Sequence, residues 1–148
     1  MVALLLAAGC HSSTSSAQPS SSAQPSTSAQ PSLSMRSCPR TINGGELKGQ
    51  APPGGSVWAL FFSRYPLPRA TEVKIVWRMT GEGDLTIDAT GPSGQHLSPT
   101  WGPEGHGGSN WNKPGSEWGT GFVFPTSGCW TLSLNRGNDH GSIGLQVK

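Results

Sequence analysis

Val73-Lys74-Ile75-Val76-Trp77-Arg78-Met79-Thr80 decides the fold class of this 148-residue chain. Val73, Ile75, Trp77 and Met79 fall on one face and Lys74, Arg78 and Thr80 on the other, with Val76 alone interrupting the polar side. A period of two belongs to a strand with one face in a core; on a helix the same residues would spread around the whole circumference.

The pattern continues on both sides of this run. Leu85-Thr86-Ile87-Asp88-Ala89 alternates in the same way, and Gly91-Pro92-Ser93-Gly94 is a turn that returns the chain toward His96 and Leu97. Trp130, Leu132 and Leu134 alternate with Thr131, Ser133 and Asn135. Ile143, Leu145 and Val147 alternate with Gly144, Gln146 and Lys148, and Gly137 to Gly141 join the two as a terminal hairpin. Upstream, Val57-Trp58-Ala59-Leu60-Phe61-Phe62 is apolar on both faces, which predicts a core on one side and a loop or second layer on the other. Gly119 to Phe124 adds a further strand, and no segment carries a convincing helical period. The expectation is an all-β chain: a single small antiparallel β-sandwich, immunoglobulin-like, over residues 38–148. Cys38 lies too near the edge of that segment for the bridge of antibody domains, which joins two central strands.

Before Cys38 the composition is different. Met1 to Gly9 reads MVALLLAAG and ends in small residues before Cys10, the shape of a processed signal; a spanning helix needs roughly 20 apolar residues. Leu6-Ala7-Ala8-Gly9-Cys10 resembles the bacterial lipobox, whose cysteine is acylated through sulfur and becomes the mature amino terminus. Basic residues are missing before the apolar run, which points to a start upstream of Met1. Ser16-Ala17-Gln18-Pro19-Ser20 then recurs at Ser22 and Ser28 with a period of six. Uncharged, poor in apolar groups and broken by proline, such a segment buries too little surface to offset its ordering entropy. The expected organisation is a lipoprotein signal peptide over 1–9, a lipidated Cys10 with a disordered Ser/Gln/Pro-rich linker over 10–37, and the sandwich over 38–148.

Three cysteines leave an odd thiol in an exported protein unless one is otherwise engaged. With Cys10 carrying lipid, Cys38 and Cys129 remain as a disulfide pair in a compartment where such bonds persist. The competing assignment, a metal site or reactive thiol, lacks C-x-x-C or Cys/His ligand spacing. Every charged residue lies from Arg36 onward with both signs interspersed, and the net charge of +2 is far from the basic density that phosphate backbones require. Nucleic acid is therefore not an expected partner.

Trp101 to Trp118 holds three of the six tryptophans among glycine, proline and polar residues. It reads as a long loop, and two readings compete. Trp101, Trp111 and Trp118, with His106, Asn110 and Glu117, form an exposed aromatic platform that stacks on sugar rings or grips a peptide; or the indoles fold back and cap the sandwich. His96, His106 and His140 with Glu104 match no metal-ligand spacing, so neither metal nor cofactor is expected. No nucleophile-elbow motif is present. Asp84 and Asp88 share one side of a strand, as surface acids do.

Pro114 to Trp130, with its Phe124-Pro125-Thr126-Ser127-Gly128-Cys129-Trp130 block, resembles a pattern of small, largely uncharacterised bacterial lipoproteins in which Phe-Pro-x-x-Gly-Cys-Trp opens a late strand of a β-sandwich. The resemblance implies location and fold, and carries no activity. The expected role is a monomeric, membrane-anchored extracytoplasmic binding or structural module. Cell-wall glycan or a surface protein is its expected partner, with no catalytic residues. The alternative is a secreted hydrolase or metal-dependent enzyme using His106 with Glu104 or Glu117.

Overall fold

A computed structural model describes residues 38–148. The signal segment, Cys10 and the repeats lie outside the described residues. The described chain is a sandwich of two antiparallel sheets built from β1 (Glu46–Lys48), β2 (Val57–Phe61), β3 (Glu72–Met79), β4 (Leu85–Thr90), β5 (His96–Leu97), β6 (Trp101–His106), β7 (Ser116–Val123), β8 (Gly128–Arg136) and β9 (Asp139–Val147). One sheet has the order β1-β2-β3-β7-β6 and the other β5-β4-β8-β9. The chain changes sheet after β3, β5 and β7. That connectivity, with β2-β3-β7-β6 against β5-β4-β8-β9, is the A-B-E-D against C′-C-F-G arrangement of the immunoglobulin fold, and β1 is added at an edge.

The period-two residues meet between the sheets. Val57, Ala59 and Phe61 of β2, Val73, Ile75, Trp77 and Met79 of β3, and Trp118 and Phe122 of β7 face Leu85, Ile87 and Ala89 of β4, Trp130, Leu132 and Leu134 of β8, and Ile143, Leu145 and Val147 of β9. Trp77 and Trp130 are wholly buried. A buried aromatic removes about 150–250 Å² from water, which at about 25 cal/mol per Å² is roughly 4–6 kcal/mol each. Each indole also finds an acceptor: Trp77 Nε1 donates to Thr120 Oγ1 at 2.8 Å and Trp130 Nε1 to the Thr126 carbonyl at 2.9 Å. Satisfying the polar edge lets the ring sit in the core without a desolvation penalty.

Cys38 and Cys129 form a disulfide with a Cα–Cα distance of 5.6 Å. Cys129 is the second residue of β8, whereas Cys38 precedes β1, so the bridge ties the start of the domain to one end of the sandwich. Phe124 and Trp130 pack edge to face in the core, with ring centroids 5.3 Å apart. The terminal hairpin is tighter than the sequence suggests: Arg136 pairs with Asp139, and Gly137 (φ 56°) and Asn138 alone form the turn. Glycine at the first central position is what a two-residue turn of this kind demands.

The larger departure is at 101–118, which is not one long loop. Trp101–His106 is an edge strand paired with β7, and only residues 107–115 are irregular. The register shifts between Trp101 and Glu104, where Gly102 takes a positive φ of 76° and Pro103 offers no N–H. An edge tolerates both, because one side of its ladder has no partner strand.

Candidate functional site

Opposite residues in an antiparallel pair share a face, so the register orders the outer surface of the five-stranded sheet into three rows. The first runs Lys48, Trp58, Arg78, Glu117, His106, and the second Glu46, Leu60, Val76, Gly119, Glu104. The third runs Lys74, Gly121, Trp101, with Phe62 beside Lys74 just past the end of β2. The apolar outer side of β2 is therefore part of a second, smaller layer, and the 107–115 loop folds across its first row. The loop covers Trp58, as the two-faced apolarity of Val57–Phe62 predicts, but leaves Phe62 exposed.

Glu117 anchors that loop. Its side chain is 3% exposed, and its Oε2 accepts from Arg78 Nε at 2.9 Å and from Ser109 Oγ at 2.6 Å, while Oε1 lies 2.6 Å from His106 Nδ1. Arg78 Nη1 also donates to the carbonyls of Lys113 and Gly115, at 2.9 and 3.1 Å. Burial pushes the Glu117 carboxyl up. The hydrogen bonds from Ser109, His106 and Arg78, with the Arg78 charge, outweigh it and hold the group below the usual carboxylate range.

A second carboxylate fixes the far side of the loop. Glu46 Oε1 accepts from Lys113 Nζ at 2.5 Å and Oε2 from Trp111 Nε1 at 2.8 Å. The Lys113 bond first, and then the Trp111 bond, lower the Glu46 carboxyl. Lys113 Nζ stands 4.0 Å from the Trp58 ring centroid and Lys48 Nζ 5.7 Å, so this indole is roofed by cations.

The expected platform of three indoles is not assembled. Trp118 alternates onto the inner face, is 6% exposed, and lies in the core with the Arg136 guanidinium 4.6 Å from its ring centroid. The physical reason is parity: Glu117 and Trp118 are adjacent on β7 and must point to opposite sides. Trp101 and Trp111 are half-buried on the outer face. Trp101 lies flat over Gly119 and Gly121; a Cβ at Gly121 would overlap its indole. Phe62 is 62% exposed, with Lys74 Nζ 5.3 Å from its ring. Asn110 is exposed on the loop and makes no hydrogen bond among the described residues.

His106 and Glu117 thus converge, whereas Glu104 is exposed one row away, opposite Gly119. His96 pairs with Asp88 at 2.8 Å on the other sheet, and His140 sits in the terminal hairpin. Among the described residues, no three His, Cys, Asp or Glu side chains gather to hold a metal ion. Sequence reasoning missed Trp58, Phe62, Arg78, Glu46 and Lys113; the one signal pointing to them was the doubly apolar β2. No protein-family model matches this chain, and no curated protein is significantly similar to it.

Proposed function

We propose that this protein is a lipid-anchored, extracytoplasmic binding module whose ligand surface is the outer face of the five-stranded sheet, and that the ligand is cell-wall glycan. The observation that carries the reading is the gathering of Phe62, Trp101 and Trp111 on one sheet face, away from the core that holds Trp77, Trp118 and Trp130. Phe62, just past the end of β2, and Trp101 of β6 lie three strand spacings apart, or about 14 Å. Between them lie Lys74 and Gly121, giving a flat aisle with an aromatic ring at each end. Flat aromatic surfaces with a few polar neighbours suit the C–H faces of sugar rings. Acylation of Cys10 supplies the anchor, since two acyl chains hold a protein stably on a bilayer.

Sedimentation with purified peptidoglycan tests the site. Wild type is expected in the pellet, with Trp101→Ala and Phe62→Ala left in the supernatant; a wild type that stays in the supernatant removes the proposal. Mass spectrometry of the mature protein tests the anchor, and an unacylated Cys10 removes that part.

A second reading, hydrolysis or metal-dependent catalysis, rests on His106 Nδ1 lying 2.6 Å from Glu117 Oε1, a carboxylate that orients an imidazole. The His106 side chain is 53% exposed, within reach of a substrate. Turnover of chromogenic glycosides and esters by wild type, lost in His106→Ala, would favour this reading over binding alone.

A further inference from the structure

The two outer faces of the sandwich differ in one chemical respect. On the five-stranded sheet, Glu46, Arg78, Ser109, Trp111, Lys113 and Glu117 are engaged with one another. On the four-stranded sheet, a concavity of about 520 Å³ is lined by Gln50, Ser133, Asn135, His140 and Ser142, and no hydrogen bond among the described residues engages any of these side chains. Its volume falls in the range of small-molecule sites, about 300–1,000 Å³.

The concavity is built by the fold. Ser133 pairs with Ser142 and Asn135 with His140 across β8 and β9, so four polar side chains project from one patch of sheet. The connection between β1 and β2 forms the wall. Gln50 exchanges two backbone hydrogen bonds with Ser142, at 2.8 and 2.9 Å, which docks Gln50 and the adjoining Ala51 and Pro52 beside β9. That docking needs glycine on both sides. A Cβ at Gly141 would lie 2.9 Å from the Gln50 carbonyl oxygen and against Val57, and one at Gly49 would lie 2.6 Å from the Ser142 carbonyl oxygen.

The chemistry of the lining selects the ligand class. Amides, hydroxyls and an imidazole offer both donors and acceptors, while no Asp, Glu, Lys or Arg lines the concavity. No side chain there supplies a counter-charge to an ionic ligand. Ala51 and Pro52 add a small apolar patch, the complement of the C–H face of a sugar.

We infer that this concavity is a second binding site, specific for an uncharged oligosaccharide and independent of the aromatic face. Titration of the nitrogen-15-labelled full chain with the neutral trisaccharides N-acetylchitotriose, cellotriose and maltotriose, and with anionic trigalacturonate, tests it. At least one neutral trisaccharide should shift the amides of residues 50–52, 133–135 and 140–142. Asn135→Ala and His140→Ala, surface changes that leave the core untouched, should each weaken that binding about tenfold or more, and Trp101→Ala should leave it unchanged. The inference is overturned if no neutral sugar at about 10 mM moves those resonances, or if trigalacturonate moves them equally. It is likewise overturned if shifts appear only around Phe62 and Trp101, a result that would support the aromatic face alone.

Discussion

Replacing Glu117 by leucine removes the carboxylate that ties residues 107–115 to the sheet, and the cost follows from its partners. Arg78 Nε loses a charge-assisted hydrogen bond worth about 1.5–3 kcal/mol. Ser109 and His106 lose bonds worth about 0.5–1 kcal/mol each, because Ser109 reaches water on the lifted loop and the His106 side chain is already half-exposed. The leucine side chain recovers about 1 kcal/mol of apolar burial. The net loss is roughly 1.5–4 kcal/mol, which at about 4 °C per kcal/mol for a domain of this size lowers Tm by about 6–16 °C. Urea titration at pH 7 and at pH 3 checks both size and origin. The folded-state carboxyl is depressed, so its contribution is complete above the ordinary carboxylate pKa, near 4.3, and is lost as pH falls through the folded value. The gap between wild type and Glu117→Leu should therefore narrow at pH 3. Glu104→Gln, at an exposed residue on the same face whose side chain makes no hydrogen bond among the described residues, should stay within about 0.5 kcal/mol of wild type. A loss below about 0.5 kcal/mol at pH 7, or one of equal size at both pH values, would refute the assignment of Glu117 as the anchor.

Two further outcomes follow from geometry. Changing both Cys38 and Cys129 to serine opens a loop of 91 residues and should destabilise the domain by up to about 4.6 kcal/mol, read as a fall in the urea midpoint; a loss under about 1 kcal/mol would contradict a loop-closure role. Gly121→Ala should drive the Trp101 indole off the sheet, red-shifting its emission and costing about 1–3 kcal/mol, whereas Gly119→Ala, whose Cβ stays 3.4 Å from the ring, should change little. Equal spectra for the two alanine variants would show that Trp101 does not rest on Gly121.

Much of the sandwich is legible from parity. Val73 to Met79, Leu85 to Ala89 and Trp130 to Leu134 put their apolar residues on the inner faces they predict, because a one-residue slip would expose every one of them. The edges were harder. β1 is only three residues long, and β6 contains two glycines and a proline, so neither has a period or composition that marks a strand; they are strands because β2 and β7 offer free hydrogen-bonding partners.

The candidate sites were less legible than the core for a related reason. Glu117 resembles any surface glutamate until Arg78, 39 positions earlier, Ser109 from the loop and His106 from the end of β6 are brought to it. Gln50 likewise meets Ser142 only because a three-residue edge strand turns the chain toward β9. What the amino-acid order alone determined is the set of local alternations and turns, since these depend on neighbours two to four residues apart. Which outer face is engaged with itself, which is left with open hydrogen-bonding groups, and where Trp118 points relative to Trp101 were decided only by tertiary pairing. Register joins residues tens of positions apart, and no local pattern encodes that choice.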